Sequence, residues 1–178
     1  FMLENVPSEV RKAASRLRCT SLLLVNILDS KGSLKPYHWL YNYDEDKYST
    51  RITQTHLPAK SNVPKDLAAI RVEVYASPYR PLLETHSMVA ANVVKEMHAM
   101  GLIEDVQSMH YHFVPYANII SDHQRRESQD LILSYLSGFG LARESDDLEP
   151  IIDWKLPHKF TSEQELFSAG RFAQWKYF

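Results

Sequence analysis

The sequence predicts an α+β fold, with a mostly antiparallel sheet of about five or six strands flanked by three helices. Several short segments rich in β-branched and aromatic residues alternate apolar with polar side chains, which is the pattern of half-buried strands. Three other segments repeat apolar residues three and four positions apart, which is the pattern of helices with one buried face. Turn residues join neighbouring strands by short connections, and short connections favour antiparallel pairing.

The clearest strand is residues 69–76, in which Arg71, Glu73 and Tyr75 alternate with apolar side chains at a period of two. The first strand is more apolar and stops at the turn residues 30–32. The five predicted strands are residues 20–29, 37–43, 49–56, 69–76 and 106–114.

The three predicted helices are marked by the residues at their ends. The first follows Pro7 and Ser8, the second spans residues 82–100 and stops at Gly101, and the third is capped by Asp122 and ends at residues 138–140. The residues expected on their buried faces are Val10, Ala13, Ala14 and Leu17 in the first helix, Val89, Ala90, Val93, Val94 and Met97 in the second, and Leu131, Ile132, Tyr135 and Leu136 in the third.

Composition and charge exclude several classes of protein. The chain has 178 residues, 44% of them hydrophobic, and a formal net charge of -2 with both signs interspersed, so a nucleic-acid partner is not expected. The longest apolar run is interrupted by Asn26 and is too short to span a bilayer, so membrane insertion is not expected either. Glu4, Glu9 and Arg11 occupy the place where a signal peptide would be apolar.

Cys19 is the only cysteine, which excludes an internal disulfide and a CxxC site. It precedes an apolar run and is interpreted as a small buried hydrophobe without chemistry of its own. A reducing, cytoplasmic location fits this cysteine usage best.

No complete catalytic or cofactor-binding motif is present in the sequence. There is no P-loop, GxGxxG or GxSxG pattern, and the two glycines at Gly138 and Gly140 follow a helix instead of opening one. His110 and His112 share a face of a predicted strand, as zinc ligands sometimes do, but no third ligand lies at a convincing spacing. No metal site is therefore expected.

Arginine and tyrosine residues at strand ends and in loops are the candidates for binding a ligand. A guanidinium can donate to two phosphate oxygens at once, and a phenol adds a neutral donor while its ring packs on a sugar or base. This chemistry suits a diphosphate, and the residues are Arg51, Tyr116, Arg171 and Tyr177.

The C-terminal segment, residues 170–177, reads GRFAQWKY and resembles the GRxGxWxY motif of FAD-dependent amine-oxidase-like proteins, which include UDP-galactopyranose mutases and protoporphyrinogen-oxidase-like enzymes. Residues 114–122, VPYANIISD, resemble the PYAYPIYD strand of the same family. Residues 38–44, 48–52 and 71–75 are similar to its substrate-domain strands, so most of the chain is covered. Ala173 departs from the motif, because the family usually has glycine there.

The resemblance implies roles for individual residues. Gly170, Arg171 and Trp175 would lie near the cofactor, where the chain returns to an FAD-binding domain. The residues implied in substrate binding are Arg51, Tyr116, Arg171, Tyr177 and, as a wall residue, Trp39.

The domain organisation follows from the same resemblance. Residues 1–140 would form the substrate-binding α+β domain, 141–165 a connector or insertion, and 166–178 the segment that returns to an FAD-binding domain outside this chain. The abrupt ends of the sequence suggest a piece of a longer polypeptide.

The implied function is substrate recognition in a flavin-dependent oxidoreductase or mutase, with a nucleotide sugar of surface-polysaccharide or lipopolysaccharide synthesis as the small-molecule substrate. FAD is expected in the intact parent protein, and the chain alone is expected to be inactive and to bind no FAD. Two alternatives stay open: a free-standing, non-catalytic ligand-binding module and an unrelated metal-dependent hydrolase.

Overall fold

The main element of the structure, a computed structural model that describes residues 5–30 and 37–141, is an antiparallel sheet of five strands. The strands and helices are, in chain order, α1 (Ser8–Arg16), β1 (Arg18–Cys19), β2 (Ser21–Asp29), β3 (Trp39–Tyr41), β4 (Arg51–Gln54), a 3-10 turn (Lys60–Asn62), β5 (Ala68–Ala76), α2 (His86–Ala99), β6 (Val106–Val114), β7 (Ile119–Ile120) and α3 (Arg125–Ser137). The predicted α+β fold is confirmed.

The five strands lie in the order β3-β4-β5-β2-β6, and every neighbouring pair is antiparallel. A two-stranded sheet of β1 and β7 is separate from it. The described residues belong to two compact units, one formed by Cys19–Asn118, called the central unit below, and the other by the segments before and after it, called the terminal unit.

The core of the central unit lies between one face of the sheet and α2. Alternate residues of β2 and β5 point to this face, so each strand contributes a row of fully buried branched side chains. Burying one such side chain contributes about 1.5 to 3 kcal/mol. The largest side chains of this core that are less than 2% exposed are Leu23, Val25, Ile27, Ile52, Ile70, Val72, Val74, Val89, Val93 and Met97.

Helix α2 begins and ends at residues that satisfy its free backbone groups. Thr85 is the N-cap, and its hydroxyl accepts a hydrogen bond from the Met88 N–H at 3.3 Å. Because Thr85 is extended, the helix starts four residues later than predicted. At the other end Gly101 has φ +66°, and the Leu102 N–H donates to the Met97 carbonyl at 2.9 Å, which closes a Schellman motif.

Strands β2, β5 and β6 match the predicted ranges to within one residue, whereas β3 and β4 are shorter than predicted. The side chain of Asn42 accepts a hydrogen bond from the Asp44 N–H at 3.0 Å, and this local turn ends β3 two residues early. A turn beginning at Thr55 ends β4 in the same way.

In the terminal unit, helices α1 and α3 pack against each other. Helix α3 begins at Arg125, so the prediction that Asp122 is its N-cap is wrong. The Asp122 side chain instead accepts a hydrogen bond from the Gln124 N–H at 3.0 Å, in the turn that precedes the helix. Leu131 is exposed, which contradicts its predicted place on the buried face, and the buried residue of α3 is Ser128. The sequence pattern did not reveal which side of α3 is buried, because apolar residues on more than one side of a helix allow more than one buried face.

Two further expectations concern membranes and the cysteine. In the described ranges, no helix is both long and apolar enough to traverse a bilayer. Cys19 is half-buried and unpaired, and burial raises the pKa of its thiol.

Candidate functional site

The sheet face that points away from α2 carries polar and aromatic side chains, and it is called the polar face below. Its residues alternate along each strand with those of the core, and they come from all five strands. They include Trp39, Tyr41, Arg51, Thr53, Arg71, Glu73, Tyr75, Asn26, His110 and His112.

The strand register sets these side chains in rows across the sheet. In one row Tyr41 on β3 is opposite Arg51 on β4, which is opposite Glu73 on β5. Side chains directly opposite each other in a sheet lie within contact distance, so the register alone brings an arginine, a glutamate and a tyrosine together.

Glu73 is the centre of a hydrogen-bonded cluster on this row. Glu73 is only 4% exposed, and both of its carboxylate oxygens accept hydrogen bonds. Oε1 accepts a hydrogen bond from Nη2 of Arg51, and Oε2 accepts one from the Tyr75 hydroxyl at 2.7 Å. Arg51 also donates a side-chain hydrogen bond to Tyr41. The cluster therefore links three strands through one buried carboxylate.

The electrostatics of the cluster keep Arg51 charged and Tyr75 neutral. The hydrogen bond that Arg51 donates to Glu73 is the largest cause that raises the pKa of Arg51 above its ordinary value. Burial, followed by the hydrogen bond to Glu73, raises the pKa of the Tyr75 phenol. At neutral pH the polar face thus presents a guanidinium that stays protonated.

Arg51 is held by the protein but not enclosed by it. Its side chain is 37% exposed, and its buried Nε has no hydrogen-bond partner among the described residues. A guanidinium has five N–H groups, so part of its donor capacity is left for another acceptor.

A second row runs beside the first, through Trp39, Thr53, Arg71, Asn26 and His110. In this row Nε of Arg71 donates to Oδ1 of Asn26 at 2.9 Å. The indole of Trp39 is 63% exposed at the β3 edge of the sheet. Tyr41 and Tyr43, both exposed, stack with ring centroids 6.4 Å apart. The β3 edge is therefore an exposed aromatic surface beside the charged cluster.

A cavity of about 260 Å³ lies at the end of β5 in the central unit. Tyr75 belongs both to its wall and to the Glu73 cluster. Arg80 lines the cavity and donates from Nη2 to the backbone carbonyls of Glu45 and Lys47, at 3.1 and 3.3 Å. Arg80 therefore stabilises the loop of residues 45–47, which forms part of the cavity wall.

Of the residues that the sequence indicated for ligand binding, two lie on the polar face. Arg51 and Trp39 are on adjacent strands of the same face, one row apart. Tyr116 is 71% exposed in the loop between β6 and β7, so it does not lie on a strand as the resemblance implied. Gly170, Arg171, Trp175 and Tyr177 lie outside the described residues.

Sequence reasoning missed Glu73, Tyr75 and Tyr41 as members of the cluster. The alternation of residues 69–76 placed Glu73 and Tyr75 on one face, and this was the available signal. Their pairing with Arg51, 22 residues from Glu73, depends on strand register, which the sequence pattern leaves open.

Metal ligands are not gathered anywhere in the described part of the chain, where no group of three or more His, Cys, Asp or Glu side chains could hold an ion. His110 and His112 lie exposed on β6, and His86 stacks on Phe113 with centroids 4.2 Å apart.

Comparison with known proteins identifies the fold of this chain. No family model matches the sequence, and no curated protein matches it. The structure is similar to that of a reduced UDP-galactopyranose mutase, with a TM-score of 0.65 and 22% identity over 71% of this chain and 28% of the mutase. It is also similar to a protein assigned as a protoporphyrinogen oxidase from Exiguobacterium sp. 255-15, with a TM-score of 0.56 and 11% identity over 70% of this chain and 28% of that protein.

The chain thus spans less than a third of the length of either protein. At these identities the likeness concerns the fold. The resemblance inferred from the sequence is confirmed at that level: the chain has the fold of a part of the mutase and of a part of the protein assigned as a protoporphyrinogen oxidase.

Proposed function

We propose that this chain is the substrate-recognition part of a flavin-dependent oxidoreductase or mutase that acts on a nucleotide sugar. The observation that carries the proposal is the charged, partly exposed Arg51 on the polar face, held by Glu73 and flanked by exposed aromatic rings. The likeness in fold to a UDP-galactopyranose mutase supports the choice of substrate class.

Each element of the polar face has a role in this proposal. The Arg51 guanidinium would donate to phosphate oxygens, because charge-assisted hydrogen bonds to phosphate suit its planar fork. The rings of Trp39 and Tyr41 would pack on the sugar or base, and Tyr116 would contact the substrate from its loop. Arg171 and Tyr177 would add contacts to the diphosphate, with Gly170, Arg171 and Trp175 near the flavin.

FAD itself would be held by another part of the same polypeptide. The N-caps of the three described helices are Pro7, Thr85 and Gln124, and none of these helices follows the glycine-rich turn that lets a helix N-terminus cradle a dinucleotide diphosphate. The N-termini of the described helices therefore do not fit the diphosphate of FAD. The chain would position the substrate and exclude water at the reacting carbon.

A cytoplasmic location and a role in lipopolysaccharide or other surface-polysaccharide synthesis belong to the same proposal, since nucleotide sugars are made and used there.

The test is calorimetric titration of UDP-galactose into the intact polypeptide. Arg51→Ala and Arg171→Ala should each weaken binding by about 1.5 to 3 kcal/mol, the value of a hydrogen bond to a charged group. Arg126→Ala, an exposed arginine on α3, is the matched control and should bind as the wild type does. Unchanged affinity in the Arg51 variant would overturn the proposal.

The same titration on residues 1–178 alone distinguishes the alternative. If this chain binds UDP-galactose as tightly as the intact polypeptide, ligand binding needs no other domain, which supports the alternative of a non-catalytic ligand-binding module. Recovery of stoichiometric flavin from the purified 178-residue chain would show that the FAD site had been assigned to the wrong part of the protein.

A further inference from the structure

We propose that Glu73 is a positioning residue for the ligand-binding arginine: it fixes the orientation of the Arg51 guanidinium before the ligand arrives. This inference rests on the proposed function, because it assigns a task to a second residue of the same site.

The carboxylate of Glu73 is itself held on both sides. The residue is 4% exposed, and each carboxylate oxygen accepts a hydrogen bond, one from Arg51 and the other from the Tyr75 hydroxyl at 2.7 Å. Tyr75 is held in turn by a side-chain hydrogen bond with Asn118. Rotation of the carboxylate would break both contacts at once.

A fixed carboxylate restricts an otherwise flexible arginine. A free arginine side chain samples many rotamers, and ordering them on ligand binding costs free energy. Because Glu73 holds Nη2 and Tyr41 adds a second contact, the ordering has already taken place in the folded protein. The 37% of the side chain that remains exposed is then presented in one orientation.

The pair has a second property, which makes the inference testable. The charges of Arg51 and Glu73 cancel, so Glu73 weakens the general attraction of the polar face for an anion. Loss of the Glu73 charge would therefore tighten anion binding if charge alone mattered. Positioning predicts the opposite, namely weaker binding when the carboxylate is replaced by an amide, because a neutral amide oxygen holds the guanidinium by a weaker hydrogen bond.

The experiment measures the binding of UDP by calorimetry to the wild type and to the Arg51→Ala, Glu73→Gln and double variants of the intact polypeptide. Arg51→Ala should weaken UDP binding by about tenfold or more, and Glu73→Gln by about tenfold although it removes a negative charge. The double variant should bind no more weakly than Arg51→Ala, because Glu73 acts only through the arginine. Glu9→Gln, at an exposed position on α1, controls for the loss of a negative charge and should leave affinity unchanged.

Unfolding of each variant is followed in parallel, and Tyr75→Phe provides a milder perturbation in case Glu73→Gln does not fold. Tyr75→Phe keeps the Glu73 charge but frees one oxygen, and it should weaken UDP binding by about threefold. The positioning role would be overturned if Glu73→Gln bound UDP as tightly as the wild type, or more tightly, while Arg51→Ala still bound it weakly. If Tyr75→Phe is the only one of the two variants that folds, the same result in Tyr75→Phe would overturn it. If the wild type does not bind UDP, or Arg51→Ala binds it normally, both the proposed function and this inference are overturned.

Discussion

The buried carboxylate of Asp29 accepts a hydrogen bond from the backbone N–H of Asp105 at 2.6 Å and another from that of Glu104 at 3.2 Å. Asp29 is the last residue of β2, and the two donors lie in the connection between α2 and β6. One side chain therefore fastens the loop that directs β6 back along β2. The Ser30 N–H, which donates to the Asp105 carbonyl at 3.0 Å, strengthens the same junction.

Replacing Asp29 with alanine should lower the free energy of unfolding by about 2 kcal/mol, because two hydrogen bonds to a charged acceptor are lost. Denaturation in urea measures the change. Asp46→Ala is the matched control, since Asp46 pairs with Lys47 in an exposed ion pair that contributes little. Equal effects of the two substitutions would show that Asp29 does not fasten the loop.

Truncation of Val93 to alanine should destabilise the protein by about 2 kcal/mol through lost burial and the cavity left between α2 and the sheet. Val93 is fully buried in the core, away from the polar face. Ligand affinity should therefore stay unchanged. Met88→Ala, an exposed position on the same helix, should change the unfolding free energy by less than about 0.5 kcal/mol. A selective effect of Val93→Ala on affinity would mean that the buried face of α2 has been misassigned.

Substitution of Gly101 by alanine should cost about 1 kcal/mol, because φ +66° is unfavourable for a residue with a Cβ. No heavy atom lies within 4 Å of the position that a Cβ would occupy, so the cost is conformational and not steric. Gly101→Asn should therefore recover part of the loss, since asparagine tolerates this region better. Thermal unfolding of the wild type and the two variants gives their order of stability. An asparagine variant less stable than the alanine variant would contradict the explanation.

Stability at alkaline pH should depend on Tyr75. Burial, and then the hydrogen bond to Glu73, raises its pKa in the folded state, so the unfolded chain ionises first as pH rises past the ordinary value of about 10. The stabilisation is fully present below that pH and is lost as pH rises through the folded-state pKa. Urea unfolding from about pH 8 to about pH 11 should show a steeper loss for the wild type than for Tyr75→Phe. Tyr43→Phe, at an exposed position, should follow the wild type, and identical slopes for Tyr75→Phe would refute the link.

The periodicity of the sequence was sufficient for the fold class and for most of the core. Residues 69–76 alternate so regularly that the strand and its two faces follow from side-chain geometry alone, and the buried face of α2 follows from helical spacing at Val89, Ala90, Val93 and Met97. Both patterns can be read from neighbouring residues, because the side chains that repeat in them are the ones that the fold buries in its core. The glycine that ends α2 is a local signal of the same kind.

The tertiary structure alone decided which polar residues meet. Arg51 could be named as a candidate from its chemistry, but a shift of the β4–β5 register by one residue would have moved it to the other face, away from Glu73. Register is fixed by turns such as the one at Asn42 and by burial on both strands, so it is a property of the whole sheet. The sequence by itself therefore determined the elements and their apolar faces, while the folded sheet determined that a buried glutamate lies opposite the exposed arginine.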